Sequence, residues 1–410
     1  MDASEGVGPR STADAWRRLG VDGELQVEAA EVIEVHLPFR RPVATAVGVH
    51  RNRPLVLVRL GCRRHDGTRV EGWGECAALS DTDYDSENAD AAFASLAGDL
   101  LPALLGASDQ NGGMPSVGML ADVIDQAGRP LAWSAMEMAV GDAQLRSSGT
   151  SLAGLLDVIG VQVCPGAVLG LPTSTPDLVA DLRRLDADGY GRVKIKIAPG
   201  TEPLILDAVA ALPTGHLPVQ VDANGVYGPA TLDGLRPLDG LGLLCIEQPL
   251  GRHDAVGHRA MSRAFATPIC LDESLDCPDR VVESVTSGEC SVVCVKPSRL
   301  GGIGAALEVI DWCRSSDTPW WMGGMFESRY ARRALATLAA LPGPTLPGDL
   351  ASPSTYLAAD LVGPPVTGID PASGRLLVSL HDAPGVAPVP DGAAVDRYLV
   401  RRAAVGIDDG

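Results

Sequence analysis

The sequence predicts an α/β chain built as a modified (β/α) TIM-type barrel with an α+β capping domain in front of it. Three observations carry that expectation. First, five apolar runs each end at a charged residue, at Lys196, Asp222, Glu247, Asp272 and Lys296, with intervals of 24 to 26 residues. Second, the segments between them, such as "TEPLILDAVAAL" and "GGIGAALEVIDWCR", carry apolar residues at helical spacing. Third, the earlier runs "EVIEVHLPFR", "PLVLVRLGCRR" and "RVEGWGEC" read as an antiparallel meander with one wet face.

Residues 1–24 are expected to be a polar, weakly ordered extension, although "STADAWRRLG" has the pattern of a short capped helix. The extension lacks the apolar core of a secretory signal. Residues 25–145 form the capping domain, with amphipathic helices in "SENADAAFASLAGDLLPALLG" and "PLAWSAMEMAVGDAQLRSSG". Residues 146–350 form the barrel. "VCPGAVLG" and "VKIKIAPG" open it, "PVQVDANG", "LLCIEQPL", "PICLDESL" and "VVCVKPSR" continue it, and "PWWMGGM" follows. Strand, loop and helix in roughly 25 residues is the unit of a parallel βα array. Closing that array into a barrel brings all five charged strand ends to one face, which a doubly wound open sheet would not do. Residues 351–410, rich in Pro and Gly with a strand-like "GRLLVSL", are expected to pack back on the capping domain.

With 410 residues, 46% hydrophobic and 21% charged, the composition is that of a soluble globular enzyme. The net charge of -19 argues against nucleic acid as a partner, so an anionic ligand must be captured by local positive charge. No run of 18 apolar residues suggests a membrane span. Nine cysteines, an odd number without a CxxC pair, fit a reducing cytoplasm better than a disulfide framework. A closed homo-oligomer is only the general expectation.

Chemistry enters through "VKIK". Val193, Ile195 and Ile197 suit a parallel strand covered on both faces, and alternation sends Lys194 and Lys196 together to the other face. Lysine is rarely buried without a partner. Asp222, Glu247 and Asp272, on three successive strands, supply three carboxylates that cannot all stay ionised without a cation. Oxygen ligands of this kind suit Mg²⁺ or Mn²⁺. Lys196 and Lys296 flank the cluster, one strand before it and one after. There they can serve as bases on a small carboxylate substrate whose α-proton the metal makes removable. Helix-capping acids and structural lysine–carboxylate pairs are the bland alternatives. Cys245, Cys270 and Cys294, each two residues before a charged strand end, read either as a thiolate metal site or as small hydrophobes filling the barrel.

Together "VKIK", "VDAN", "CIEQP", "CLDES", "VVCVKPSRLGG" and "WWMGGMFES" resemble the enolase superfamily. Within it they look most like the o-succinylbenzoate synthase / N-acylamino acid racemase group of the muconate-cycloisomerase branch. The resemblance runs from about residue 27 to 390 and includes "LPFRRPVATAVGVHRNRPLVLVRL", which is similar to that group's mobile specificity loop. It implies that Lys196 is the base on one face with Lys194 as its electrostatic companion. Asp222, Glu247 and Asp272 would be Mg²⁺ ligands, and Lys296 the second lysine. Asn224 and Glu273 would support the ligands, and Arg299 matches the group's "KPxR" form. Gly323, Gly324 and Met325 would line the substrate.

Arg329 and Tyr330 depart from the group, which has glycine and a small aliphatic residue there. Arg329 then either pairs with a distal carboxylate of the substrate or caps its helix in solvent. The implied activity is o-succinylbenzoate synthesis, a dehydration of a cyclohexadiene carboxylate in menaquinone biosynthesis. Racemisation of an N-acylamino acid by the same lysine pair is the alternative, and an inactive binding protein that kept the fold is a remote third.

Overall fold

In the computed structural model the barrel strands stand side by side in chain order. The structure describes residues 11–20, 25–45, 48–80, 87–126, 128–213, 215, 217–343 and 345–406. Residues 1–10 and 21–24 of the N-terminal extension and residues 46–47 of the expected specificity loop lie outside the described residues.

Three strands open the capping domain: β1 (Leu25–Thr45), β2 (Gly48–Arg64) and β3 (Arg69–Cys76). The sheet lacks the expected wet face along β2: Val56, Val58 and Leu60 on one face and Leu55 and Leu57 on the other are all fully buried, with Val32 of β1 opposite Val58. Against the sheet lies the helix Pro130–Ser148, which the sequence suggests is amphipathic but which is buried on nearly every face. The sheet covers one side of it and the barrel loops the other. Gly72 and Gly74 make this possible, because a Cβ there would stand 2.2 Å from the Ala139 carbonyl and 1.9 Å from that of Ala135. The helical run Ala89–Asn111 is long and apolar enough to cross a bilayer, by length and composition only. Its Ala92, Leu96, Leu100 and Leu104 are fully buried within the fold.

After β4 (Gln162–Val163), the barrel comprises β5 (Gly166–Leu169), β6 (Arg192–Lys196), β7 (Val219–Asp222), β8 (Ile246–Glu247), β9 (Ile269–Leu271), β10 (Val292–Val295) and β11 (Trp320–Met322). They form one parallel sheet of seven in the order β11-β10-β9-β8-β7-β6-β5. Between its two edges runs the segment 345–350. The Leu346 and Asp349 amides donate to the carbonyls of Trp320 and Met322 on β11, at 2.9 and 2.8 Å. On the other side the Gly166 amide of β5 donates to the Gly348 carbonyl at 2.6 Å. The seam is thus bridged by a Pro- and Gly-containing stretch rather than by an eighth regular strand.

The tail adds β12 (Thr367–Ile369) and β13 (Leu376–Ser379), which form a small sheet with β4, and β14 (Leu399–Val405). β14 pairs antiparallel with β1 and completes a four-stranded capping sheet in the order β14-β1-β2-β3.

The N-terminal extension contains the short capped helix that "STADAWRRLG" allowed. Thr12–Arg17 is a helix capped by Ser11, and Trp16 within it is fully buried. An indole that size contributes enough apolar area to seat an otherwise polar segment.

Candidate active site

The strand pleat puts Val193 and Ile195 under the helices and sends Lys194 and Lys196 into the barrel. Lys194 is buried one layer down, whereas the Lys196 side chain keeps 30% of its surface exposed toward the mouth. Register does the rest. Lys196 stands opposite Asp222, Asp222 opposite Glu247, and Glu247 opposite Cys270, two residues before Asp272. Asp222, Glu247 and Asp272 are all buried.

The ammonium of Lys196 donates to Asp222 Oδ2 and to Asn224 Oδ1, both at 2.6 Å. The Asn224 amide group is oriented in turn by donation from its Nδ2 to Glu273 Oε1 at 2.9 Å. On the far side Lys296 Nζ donates to Asp272 Oδ2 at 2.7 Å, and Arg299 Nη1 donates to the other oxygen of the same carboxylate. Lys194 lies 3.3 Å from Asp222 and 3.2 Å from Glu247. The two outer lysines therefore bracket the carboxylates, each bound to a different one.

Burial alone would raise all three acids, but their cationic neighbours sort them. At Asp222, Lys196 and Lys194 outweigh burial and hold the carboxyl below its usual range. At Asp272, Arg299 and Lys296 do so more strongly. Glu247 goes the other way: burial, reinforced by the charge of Asp222, pushes it well above the ordinary value despite Lys194. Burial also opposes the charge on Lys194, yet Asp349, Glu247 and Asp222 prevail and keep it firmly protonated.

The capping and barrel portions match known families separately. Residues 28–157 match the mandelate racemase / muconate lactonizing enzyme N-terminal domain, and residues 177–393 match the enolase C-terminal domain-like family. The chain belongs to the enolase superfamily.

This enolase-superfamily chain is 35% identical over 367 residues to an N-succinylamino acid racemase of Amycolatopsis sp, covering 90% of this chain and 96% of that one. It is 30% identical over 385 residues to the o-succinylbenzoate synthase of Bacillus subtilis, covering 94% and 98%. A solved structure from Alicyclobacillus acidocaldarius, described as a probable mandelate racemase, superposes with a TM-score of 0.83 at 32% identity, covering 92% and 97%.

Whether a divalent cation fits the site is decided by Glu247. It is buried among like charges, and its only described cationic bonding partner is Lys194, which it shares with Asp222 and Asp349. Positive charge brought to Glu247 relieves what burial and Asp222 impose. Its carboxylate, that of Asp272 and the Cys294 thiol have ligand atoms within 4.8 Å of one another. The oxygens suit a hard ion and the thiol does not. The cysteine layer is packing: Cys245, Cys270 and Cys294 cluster with Val292 and Trp321, and the Trp321 indole donates to Cys270 Sγ at 3.3 Å. Burial lifts the Cys270 and Cys294 thiols well above their usual range, so they stay neutral.

The loop after β11 packs against the second lysine, the cap and the C-terminal segment. Gly323 lies close against the second lysine, since a Cβ there would lie 2.5 Å from Cys294 Sγ and 2.8 Å from Lys296 Cε. A Cβ on Gly324 would meet Arg332, whose guanidinium donates to Glu327 and to the Tyr356 hydroxyl. Met325 is buried, and its carbonyl accepts from Arg53 Nη2 at 3.0 Å. Arg329 turns away from the barrel mouth. Its amide donates to Asp360 Oδ1 at 2.9 Å and its guanidinium to the Val362 carbonyl at 3.3 Å, which ties its helix to the C-terminal segment. Its side chain is 19% exposed, with Nε 3.6 Å from Asp360 Oδ2. Tyr330 is fully buried, with its hydroxyl on the Trp73 carbonyl of the capping domain.

Asp349 was not foreseen. It lies on the seam segment, bound to Lys194 Nζ at 2.7 Å and Arg192 Nη2 at 2.8 Å. Its position was legible in principle, because Asp349 follows Lys296 by 53 residues, about two repeats of the strand spacing. Arg53 could not have been foreseen. It is a buried guanidinium serving the carbonyls of Pro54, Ala77, Ala78, Met325 and Phe326, and so it fastens the cap to the β11 loop.

Proposed function

We propose that this chain is a Mg²⁺-dependent o-succinylbenzoate synthase, dehydrating a succinyl-bearing cyclohexadiene carboxylate for menaquinone biosynthesis in the cytoplasm. The observation that carries the reading is the inequality of the two outer lysines. Lys196 is partly open to the mouth and rests on a neutral amide as well as an acid; Lys296 is buried and clasped by Asp272. A syn-elimination needs one mobile proton carrier and one fixed cation. Asp222, Glu247 and Asp272 would hold the Mg²⁺. When bound, that ion supplies positive charge beside the substrate carboxylate and makes its α-proton removable.

The chain's own residues do the rest. An amine has two N–H donors, so Lys196 can keep both of its bonds and still present a lone pair. It takes the α-proton as the C–H bond breaks, then returns it to the departing hydroxyl as the C–O bond breaks, releasing water and regenerating the amine. Asn224, held by Glu273, keeps that nitrogen on target. The Lys296 ammonium faces the charge that develops on the carboxylate.

Racemisation of N-succinylamino acids is the second reading, supported by the likeness to the Amycolatopsis enzyme and by a lysine on each side of the cluster. Assays of both substrate classes side by side with Mg²⁺ separate the two. Dehydration should have the larger kcat/KM; racemisation faster by tenfold or more would reverse the assignment.

A further inference from the structure

The loop that carries Lys296 runs through a short turn, Pro297–Leu300, and two glycines into the helix Ile303–Ser315. Nothing in the catalytic cluster explains how this loop is held at its far end. The answer lies in the capping domain. Glu137, buried on the helix Pro130–Ser148, accepts from the Ile303 amide at 2.7 Å and the Gly304 amide at 2.9 Å. It thereby satisfies donors that the start of a helix leaves without an intrahelical partner. The fit is close: Gly302 has φ +114, and a Cβ there would stand 2.2 Å from Glu137 Oε2. The Gly302 amide returns to the Pro297 carbonyl at 2.8 Å, and the Leu300 amide to that of Lys296 at 3.0 Å. Hydrogen bonds spaced along the loop thus lead from Glu137 to the backbone of the second lysine.

Glu137 is itself fixed by one more donor. The indole N–H of Trp16 gives it a hydrogen bond of 2.8 Å. Trp16 sits in a socket shaped for it, since a Cβ on Gly141 would lie 2.1 Å from its ring and one on Gly304 3.2 Å away. The hydroxyls of Ser11 and Thr12 anchor the same segment to Asp311, both at 2.8 Å. A cleft of about 630 Å³ is bordered by Trp16 and Glu137 together with Leu300, Gly301 and Gly304 of the loop, so the indole and the loop share one wall of it. The family's N-terminal domain begins at residue 28, so this contact is made by sequence ahead of it.

We infer that Trp16 is a positioning residue: acting through Glu137, it holds the Lys296–Gly304 loop in the register that catalysis needs. The inference rests on the reading of Lys296 as the fixed cation. A fixed cation that stabilises only the transition state affects kcat rather than KM.

The test is Trp16→Phe, which keeps most of the ring and removes the N–H, with Glu137→Gln as a second variant and Arg17→Ala as a control on the same helix that does not touch Glu137. Backbone amide exchange is followed over 296–304 and over 219–224, together with kcat and KM for dehydration. The loss of one such buried bond is large enough for exchange at Ile303 and Gly304 to rise about tenfold. We expect that rise in both variants, with 219–224 unchanged, kcat three- to tenfold lower and KM constant, while Arg17→Ala behaves as wild type. Unchanged protection at 303–304, an equal rise across the barrel, or a local rise with undiminished kcat would each overturn the inference. If wild type turned over neither substrate class, the proposed function would fall, and the amide exchange would still decide whether Trp16 holds the loop.

Discussion

Asp349→Asn probes the least expected part of the site. The carboxylate holds two buried cations, Lys194 at 2.7 Å and Arg192 at 2.8 Å, and the side chains of all three are at most 7% exposed. A hydrogen bond to a charged group is worth about 1.5–3 kcal/mol, and breaking a buried ion pair costs about 3–5 kcal/mol. Asparagine keeps one acceptor oxygen, so one of the two bonds survives without its charge. We therefore expect a loss of about 3 kcal/mol. Urea unfolding followed by tryptophan fluorescence measures it, because the Trp321 ring lies 4.5 Å from Arg192 and 4.6 Å from Lys194. The ammonium of Lys194 would then bear on Glu247 and Asp222 alone, and the Mg²⁺ concentration for half-maximal activity should rise about tenfold, equivalent to about 1.4 kcal/mol. A stability loss under about 1 kcal/mol would refute the reading of Asp349 as the counter-charge. A full loss with unchanged Mg²⁺ dependence would refute the coupling of Lys194 to the cluster.

Asp222→Asn, Glu247→Gln and Asp272→Asn should each abolish turnover, as should exhaustive chelation; activity that survives chelation would remove the metal from the scheme. Lys196→Ala and Lys296→Ala should each lower kcat by about 10²–10⁴ with divalent-ion binding retained, read by calorimetry alongside turnover. Glu75 is the group to follow with pH. Burial pushes its carboxyl from 4.5 up to about 7 while the Ser328 amide and hydroxyl donate to it. The folded state therefore keeps its proton longer than the unfolded chain, and stability from this group falls as pH rises from 4.5 to about 7. Glu75→Gln should narrow the difference in Tm between pH 5 and pH 8; an unaltered difference would show that Glu75 does not titrate there.

Much of this site could be read from one periodicity. Lys196, Asp222, Glu247, Asp272 and Lys296 each end a short apolar run, and parallel register alone then brings them together. Arg329 shows what the periodicity cannot decide, because a residue just past a strand end can turn either into the barrel or outward. The choice was made by Asp360, 31 residues away and with no periodic relation to it. The helix Pro130–Ser148 was misjudged for a similar reason. Sequence shows how apolar a face is, but not that a second layer will cover the opposite one. Trp16 illustrates the limit most plainly, since an indole in a polar stretch finds its socket only through glycines at 141 and 304.

The place of β14 sets an order of events during synthesis. Ala30 of β1 pairs with Val405, and Val35 with Leu399. The barrel strands, by contrast, pair with neighbours one short helix away in sequence. Chains fold as they emerge, and contacts between distant residues form late. The barrel can therefore assemble on the ribosome while the outer edge of β1 still waits for its partner. Until residues 399–405 arrive, the edge of β1 over Ala30–Val35 displays unpaired amides and carbonyls. A stalled or C-terminally clipped chain would carry a formed barrel behind an incomplete sheet, and its exposed edge is where aggregation would begin.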